Sequence, residues 1–140
     1  INQKELKIAV DCEPTLQILA EPNLFQIIML NIIQNAIKYS PHGKQIHIFT
    51  SPVQTGNNKF ISIAIKDEAG GISRDILDSI LNPLRSKKTG KNLQEGFHLG
   101  LYLVKVFTKS LNGKIKIDSR KGLGTTIVLT FPCVAGYQPE

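Results

Sequence analysis

Apolar and polar residues alternate through Glu5-Leu6-Lys7-Ile8-Ala9-Val10, a period of two that predicts a strand, and a second short one over Leu16 to Leu19. The period then lengthens. Glu21-Pro22 is a helix start with proline in the first turn, and good helix formers run to Tyr39, where Ser40-Pro41-His42-Gly43 breaks the pattern. Alternation returns around Ile46 to Ser51 and Phe60 to Lys66, joined by Thr55-Gly56-Asn57-Asn58, which predicts a hairpin. Ser73 can cap a short helix through Leu81, with Asp75 in its acidic first turn. From Asn82 to about Gly96 the pattern is lost in a polar, basic loop of a length that usually has a function. A third helix is predicted from Phe97 or Leu99 to Leu111, stopped by Asn112-Gly113. The chain closes on a hairpin, Lys114 to Ser119 and Thr125 to Phe131, turned at Arg120-Lys121-Gly122-Leu123-Gly124 and stopped by Pro132. These elements predict an α/β (α+β) sandwich with a largely antiparallel sheet and three helices between its strands.

Composition adds three limits. At 140 residues and 41% hydrophobic the chain suits one domain with its own core. A formal charge of +6 favours anionic partners: nucleic acid, anionic lipid or a phosphorylated small molecule. Cys12 and Cys133 are far apart without metal or redox spacing, which reads as ordinary reduced thiols in a cytoplasmic setting. No apolar run reaches the roughly 18 residues that span a bilayer, and no signal peptide opens the chain, so no membrane contact is predicted for it. The first residue is not Met, and the expectation is a fragment of something larger.

Chemistry enters on the long helix. A step of about 100° per residue sets Asn31, Asn35 and Lys38 on one stripe of an otherwise apolar segment. Two readings stand: the asparagines bond within the protein, or an amide oxygen meets a water-bearing Mg²⁺ while the lysine neutralises phosphate. Asp67-Glu68-Ala69-Gly70-Gly71-Ile72 leaves a strand for a helix, either as a plain turn or as a carboxylate accepting a base's amine beside a close-approach glycine. Arg85, Lys87, Lys88 and Lys91 make a solvated loop or a basic flap. The flap reading gains from the neighbouring segment Glu95-Gly96-Phe97-His98-Leu99-Gly100-Leu101. Glycines at a helix start turn free N–H groups toward an anion, and the helix dipole adds to the attraction.

Together these segments resemble the catalytic and ATP-binding domain of sensor histidine kinases, a branch of the GHKL superfamily that includes gyrase and heat-shock chaperone ATPases. Asn31-Ile32-Ile33-Gln34-Asn35-Ala36-Ile37-Lys38-Tyr39-Ser40 looks like the N box, and Lys66-Asp67-Glu68-Ala69-Gly70-Gly71-Ile72 like the first glycine box. Leu81 to Lys87 looks like the F box, Glu95 to Lys105 like the second glycine box, and Gly122-Leu123-Gly124-Thr125-Thr126 like the closing signature. Five motifs in this order cover nearly the whole chain. The resemblance implies a Bergerat-type two-layer fold, a mixed, mostly antiparallel sheet with three helices on one face, whose ligands are ATP and Mg²⁺. It implies that Asn35 holds the metal, Lys38 and Lys87 meet phosphates, and Tyr39 packs by adenine. Asp67 would accept the adenine amine with Gly71 and Ile72 beside it, and Thr125 would support that aspartate. Backbone N–H groups of Gly96, Phe97, His98, Leu99, Gly100 and Leu101 would hold the phosphate chain.

Asn31 discriminates within the superfamily. ATP-hydrolysing branches resemble one another in placing a Glu there as general base, whereas asparagine is a poor base. Phosphoryl transfer needs positioning and charge neutralisation rather than an activated water, so a protein-histidine kinase is the implied activity. Its partners would be ATP, a histidine-bearing dimerisation domain and, indirectly, a response regulator receiver domain. Departures are Ala69, Leu81, Leu84 and His98, which keep open a nucleotide-binding pseudokinase beside an anti-sigma-factor serine kinase of the same fold. His42 and His47 lack the acidic-flanked helix of a phosphoacceptor. Nucleic acid is disfavoured as a partner because the positive residues of the flap carry no interleaved aromatics.

Overall fold

The computed structural model describes residues 7–12, 17–39, 45–68, 74–82, 96–120 and 122–133. Among them the chain runs β1 (Lys7–Asp11), α1 (Pro22–Tyr39), β2 (Gln45–Thr55), β3 (Asn58–Asp67), α2 (Arg74–Leu81), α3 (Gly96–Ser110), β4 (Lys114–Arg120) and β5 (Gly124–Pro132). The strands form one sheet in the order β1-β2-β3-β5-β4. β1 and β2 are parallel and every other pair is antiparallel, so α1 serves as the crossover that a parallel pair requires. The predicted mixed, mostly antiparallel α/β fold is the one observed.

α1 starts where Glu21 turns its carboxylate onto the free N–H groups of Asn23 and Leu24, at 3.1 and 2.7 Å, ahead of Pro22. A negative cap there also meets the positive end of the helix dipole. Ile28, Ile32 and Ala36, spaced by four, are buried against the sheet. From the sheet side come Ile61, Ile63 and Ile65 of β3, in register with Phe131, Leu129 and Ile127 of β5. Each such isoleucine contributes about 2 kcal/mol on burial. Phe25 closes this core edge-to-face on Phe131, with ring centres 5.7 Å apart. α3 packs beside α1, and α2 packs on α3.

Two predicted details differ. The strand expected over Leu16 to Leu19 is reduced, in its described part, to one bridge between Ile18 and Cys133. Leu19 N–H donates to the Pro132 carbonyl at 2.8 Å, but proline has no N–H to return, and the ladder stops. β2 does not end at Ser51; it passes through Pro52 to Thr55. β1 covers β2 only as far as Phe49, and beyond that point β2 is an edge strand, where proline is tolerated. At the end of α3 the left-handed residue is Asn112, φ 60°, with Gly113 N–H bonded to Thr108 O and Asn112 N–H to Lys109 O. This is a Schellman closure. Gly113 serves packing instead, since a Cβ there would stand 2.8 Å from the Phe131 ring. The cap residue Ser73 and the basic segment Arg85 to Lys91 lie outside the described residues.

Candidate functional site

β3 carries one apolar row, Ile61, Ile63 and Ile65, that ends in a carboxylate: Asp67 faces the same way and is only 9% exposed. A carboxylate there is costly to bury without polar company. The register supplies it, because Asp67 sits opposite Thr125 of β5, itself buried, and Thr125 sits opposite Ser119 of β4. The Ser119 and Thr125 hydroxyls are 2.8 Å apart. Three polar residues thus cross the end of three strands in one line.

Gly124 makes that line possible. Its φ of +115° is one that L side chains rarely adopt, and an added Cβ would collide with the Asp67 carbonyl oxygen and stand 3.3 Å from Glu68 Cα. The turn backbone therefore lies directly against the strand end that bears Asp67.

The second part of the site lies between helices. Asn31 and Asn35 occupy one stripe of α1, as the helical step predicts, and both are half-buried. Gly100 of α3 faces them: a Cβ there would stand 3.2 Å from both Asn31 Oδ1 and Asn35 Nδ2. Asn31 Nδ2 donates back to the Ile27 carbonyl at 2.9 Å. Asn35 Nδ2 is buried and meets no acceptor among the described residues. Buried amides are normally satisfied, so an orphaned one beside a helix start marks a place for a further group. Because the two ends of an amide are assigned rather than observed, either end of Asn35 can face that group.

α3 begins at Gly96, so its free first-turn N–H groups belong to Gly96, Phe97, His98 and Leu99. Gly100 is buried and the Leu101 side chain is a core residue, 1% exposed. Lys38 and Tyr39 lie in the last turn of α1, with only their backbone described. Gly71, Ile72 and Lys87 are outside the described residues, as are Ala69 and Leu84. Leu81 ends α2, and its carbonyl accepts a hydrogen bond from Lys105 Nζ of α3, which also lies 3.4 Å from Asn82 Oδ1. Sequence reasoning missed Lys105, Ser119 and the contact made by Gly124. Only Gly124 carried a readable signal, as a glycine directly ahead of a strand.

No cluster of three or more His, Cys, Asp or Glu exists among the described residues. A divalent ion is therefore not caged by protein carboxylates there. With the amide turned so that its oxygen faces the seam, Asn35 would fit an ion of the Mg²⁺ class, which keeps waters and takes one or two protein oxygens with substrate phosphates. His47 is half-buried on β2 with its ring 5.1 Å from that of Phe49, and both cysteines are free thiols. No helix among the described residues is long and apolar enough to cross a membrane.

Residues 20–135 match the family model described as histidine kinase-, DNA gyrase B- and HSP90-like ATPase. The autoinducer 2 sensor kinase/phosphatase LuxQ of Vibrio harveyi is 30% identical over 130 residues, 91% of this chain and 15% of the relative. The sensor-like histidine kinase SenX3 of Mycolicibacterium smegmatis is 31% identical over 137 residues, 94% of this chain and 33% of the relative. The chain thus spans a third or less of these two relatives. Among solved structures, a mycobacterial sensor histidine kinase, MprB, superposes with a TM-score of 0.70 at 21% identity, covering 91% of this chain and 82% of the other. Full-length ShkA in complex with AMPPNP superposes at 0.73 and 20% identity, covering 96% of this chain and 27% of that one. At such identities these two show the fold. The chain belongs to the histidine kinase-, DNA gyrase B- and HSP90-like ATPase family, and its relatives within it are sensor histidine kinases.

Proposed function

We propose that this domain binds Mg·ATP and donates the γ-phosphoryl group to a histidine on a separate dimerisation domain, from which a response regulator receiver is charged. The observation that carries the proposal is the asparagine pair beneath Gly100: an unsatisfied Asn35 amide, and at the preceding turn Asn31 with its amide bonded back to Ile27. Neither group can take a proton from water at neutral pH. A site that neutralises phosphate charge without activating water suits transfer to a protein side chain better than hydrolysis.

The roles divide by region. Asp67 accepts the adenine amine, oriented by the Thr125 and Ser119 hydroxyl line, with Gly71, Ile72 and Tyr39 flanking the base. The N–H groups that open α3 meet the phosphate chain, and Lys38 and Lys87 add positive charge. Bound Mg²⁺ would supply charge neutralisation on the phosphates, held through Asn35. The substituted positions Ala69, Leu81, Leu84 and His98 favour a second reading, a nucleotide-binding module that no longer transfers phosphate.

Incubation with labelled ATP, Mg²⁺ and a histidine-bearing dimerisation domain separates the two. Acid-labile, base-stable phosphohistidine is the expected result. Nucleotide binding without any transfer supports the module, and absence of nucleotide binding removes both.

A further inference from the structure

We infer that the domain has a second small-molecule site, an apolar pocket at the N-terminal end of α1 that takes an uncharged aromatic or aliphatic ligand about the size of a fused bicycle. The pocket has a volume of about 350 Å³ and lies between α1, the residues that precede it and the inner face of the sheet. Ile18, Ala20 and Phe25 form one wall, and Ile61 and Ile63 of β3 form the other. Thr50 and Cys12 add a hydroxyl and a thiol, and among the described residues no charged side chain lines it. Cys12 is exposed, so the pocket opens to solvent on that side.

Size and lining fix the ligand class. An apolar cavity of about 150 Å³ holds benzene, and roughly twice that volume accommodates two fused rings or a short alkyl chain. With no cation among the described wall residues, phosphates and carboxylates find nothing there to pair with, and their desolvation would go uncompensated. Apolar walls without partner atoms forgo dispersion contacts that an apolar guest restores.

The pocket is not an extension of the nucleotide region. Phe25 and Asn35 are ten residues apart on one helix, about 15 Å along its axis. Ile61 and Ile63 lie six and four residues before Asp67 on β3, about 20 and 13 Å along the strand. Both sites nevertheless share α1 and β3 as walls.

The test uses Cys12 as reporter. In Cys133→Ser, Cys12 is the single thiol, and its reaction with dithiobis(nitrobenzoate) is followed as indole is added. Only the unoccupied fraction reacts, so indole at ten times its Kd slows the reaction about tenfold, with saturation. Adding Ala20→Phe, which fills the pocket, abolishes the protection while Mg·ATP binding persists; Ile18→Phe does the same if Ala20→Phe fails to fold. An unchanged rate in the parent at millimolar indole overturns the inference. So does equal protection in the filled variants, or displacement of indole by ATP, which would place it in the nucleotide region.

Discussion

The Asp67 end of the sheet and the α1–α3 seam are built on opposite principles. At the sheet end the polar line is completed by the protein: register sets Asp67, Thr125 and Ser119 side by side, and Gly124 seals the turn onto the strand. At the seam the protein leaves a buried Asn35 amide without an acceptor under a glycine that keeps α3 close. Ladder geometry fixes the first with no ligand present. The second becomes fully satisfied only when something enters it. That division suits the proposed function, since base recognition wants a fixed acceptor and phosphoryl transfer wants groups that engage late.

Substitutions sharpen the contrast. The largest effect is expected at Gly124→Ala. A positive-φ penalty of about 1–2 kcal/mol adds to an overpacking cost against the Asp67 backbone, for about 3 kcal/mol lost in urea denaturation. Gly122→Ala is its control: φ is +85° but nothing lies within 4 Å, so only the first penalty applies. Equal losses at the two glycines would dissolve the argument for a sealed sheet end.

Next comes Asp67→Asn. Losing a charged acceptor for the adenine amine lowers ATP affinity by about tenfold or more in titration calorimetry, and the preference for adenine over guanine narrows. Unaltered selectivity would move the base elsewhere.

At the seam, Gly100→Ala gains about 1 kcal/mol of helix propensity while displacing two amides. Stability should therefore stay within about 1 kcal/mol as Mg-dependent nucleotide affinity falls. A loss of stability with affinity intact would show Gly100 to be a packing residue alone. Smallest is Ser119→Ala, about 1 kcal/mol in stability, with nucleotide affinity falling less than in Asp67→Asn.

The parts readable from sequence are those decided locally. Helical spacing placed Asn31 and Asn35 on one stripe, and the Glu21-Pro22 start and the Asn112-Gly113 stop both mark real helix ends. What escaped depends on neighbours distant in the chain. The alternation gives a strand around Ile46 to Ser51, but β1 pairs with β2 only as far as Phe49, and among the described strands β2 is an edge beyond it, where Pro52 is tolerated. Asn112-Gly113 reads as a helix stop, but that Asn112 is the left-handed residue and that the Phe131 ring sets the need for glycine at 113 depend on the packed structure. Ser119 and Lys105 carry no local signal at all: one matters through strand register, the other by reaching the Leu81 carbonyl on another helix.

Whether a finished base acceptor is joined to a seam that nucleotide and metal complete is tested by calorimetric titration of ATP with and without Mg²⁺ on the parent and Asn35→Ala. Tighter binding with Mg²⁺ is expected in the parent. In Asn35→Ala no Mg²⁺ effect, retained adenine selectivity and unchanged or higher stability are expected, because the substitution removes a buried amide that is unsatisfied among the described residues. A parent that binds no ATP, or an Asn35→Ala protein whose Mg²⁺ dependence is intact, would contradict it.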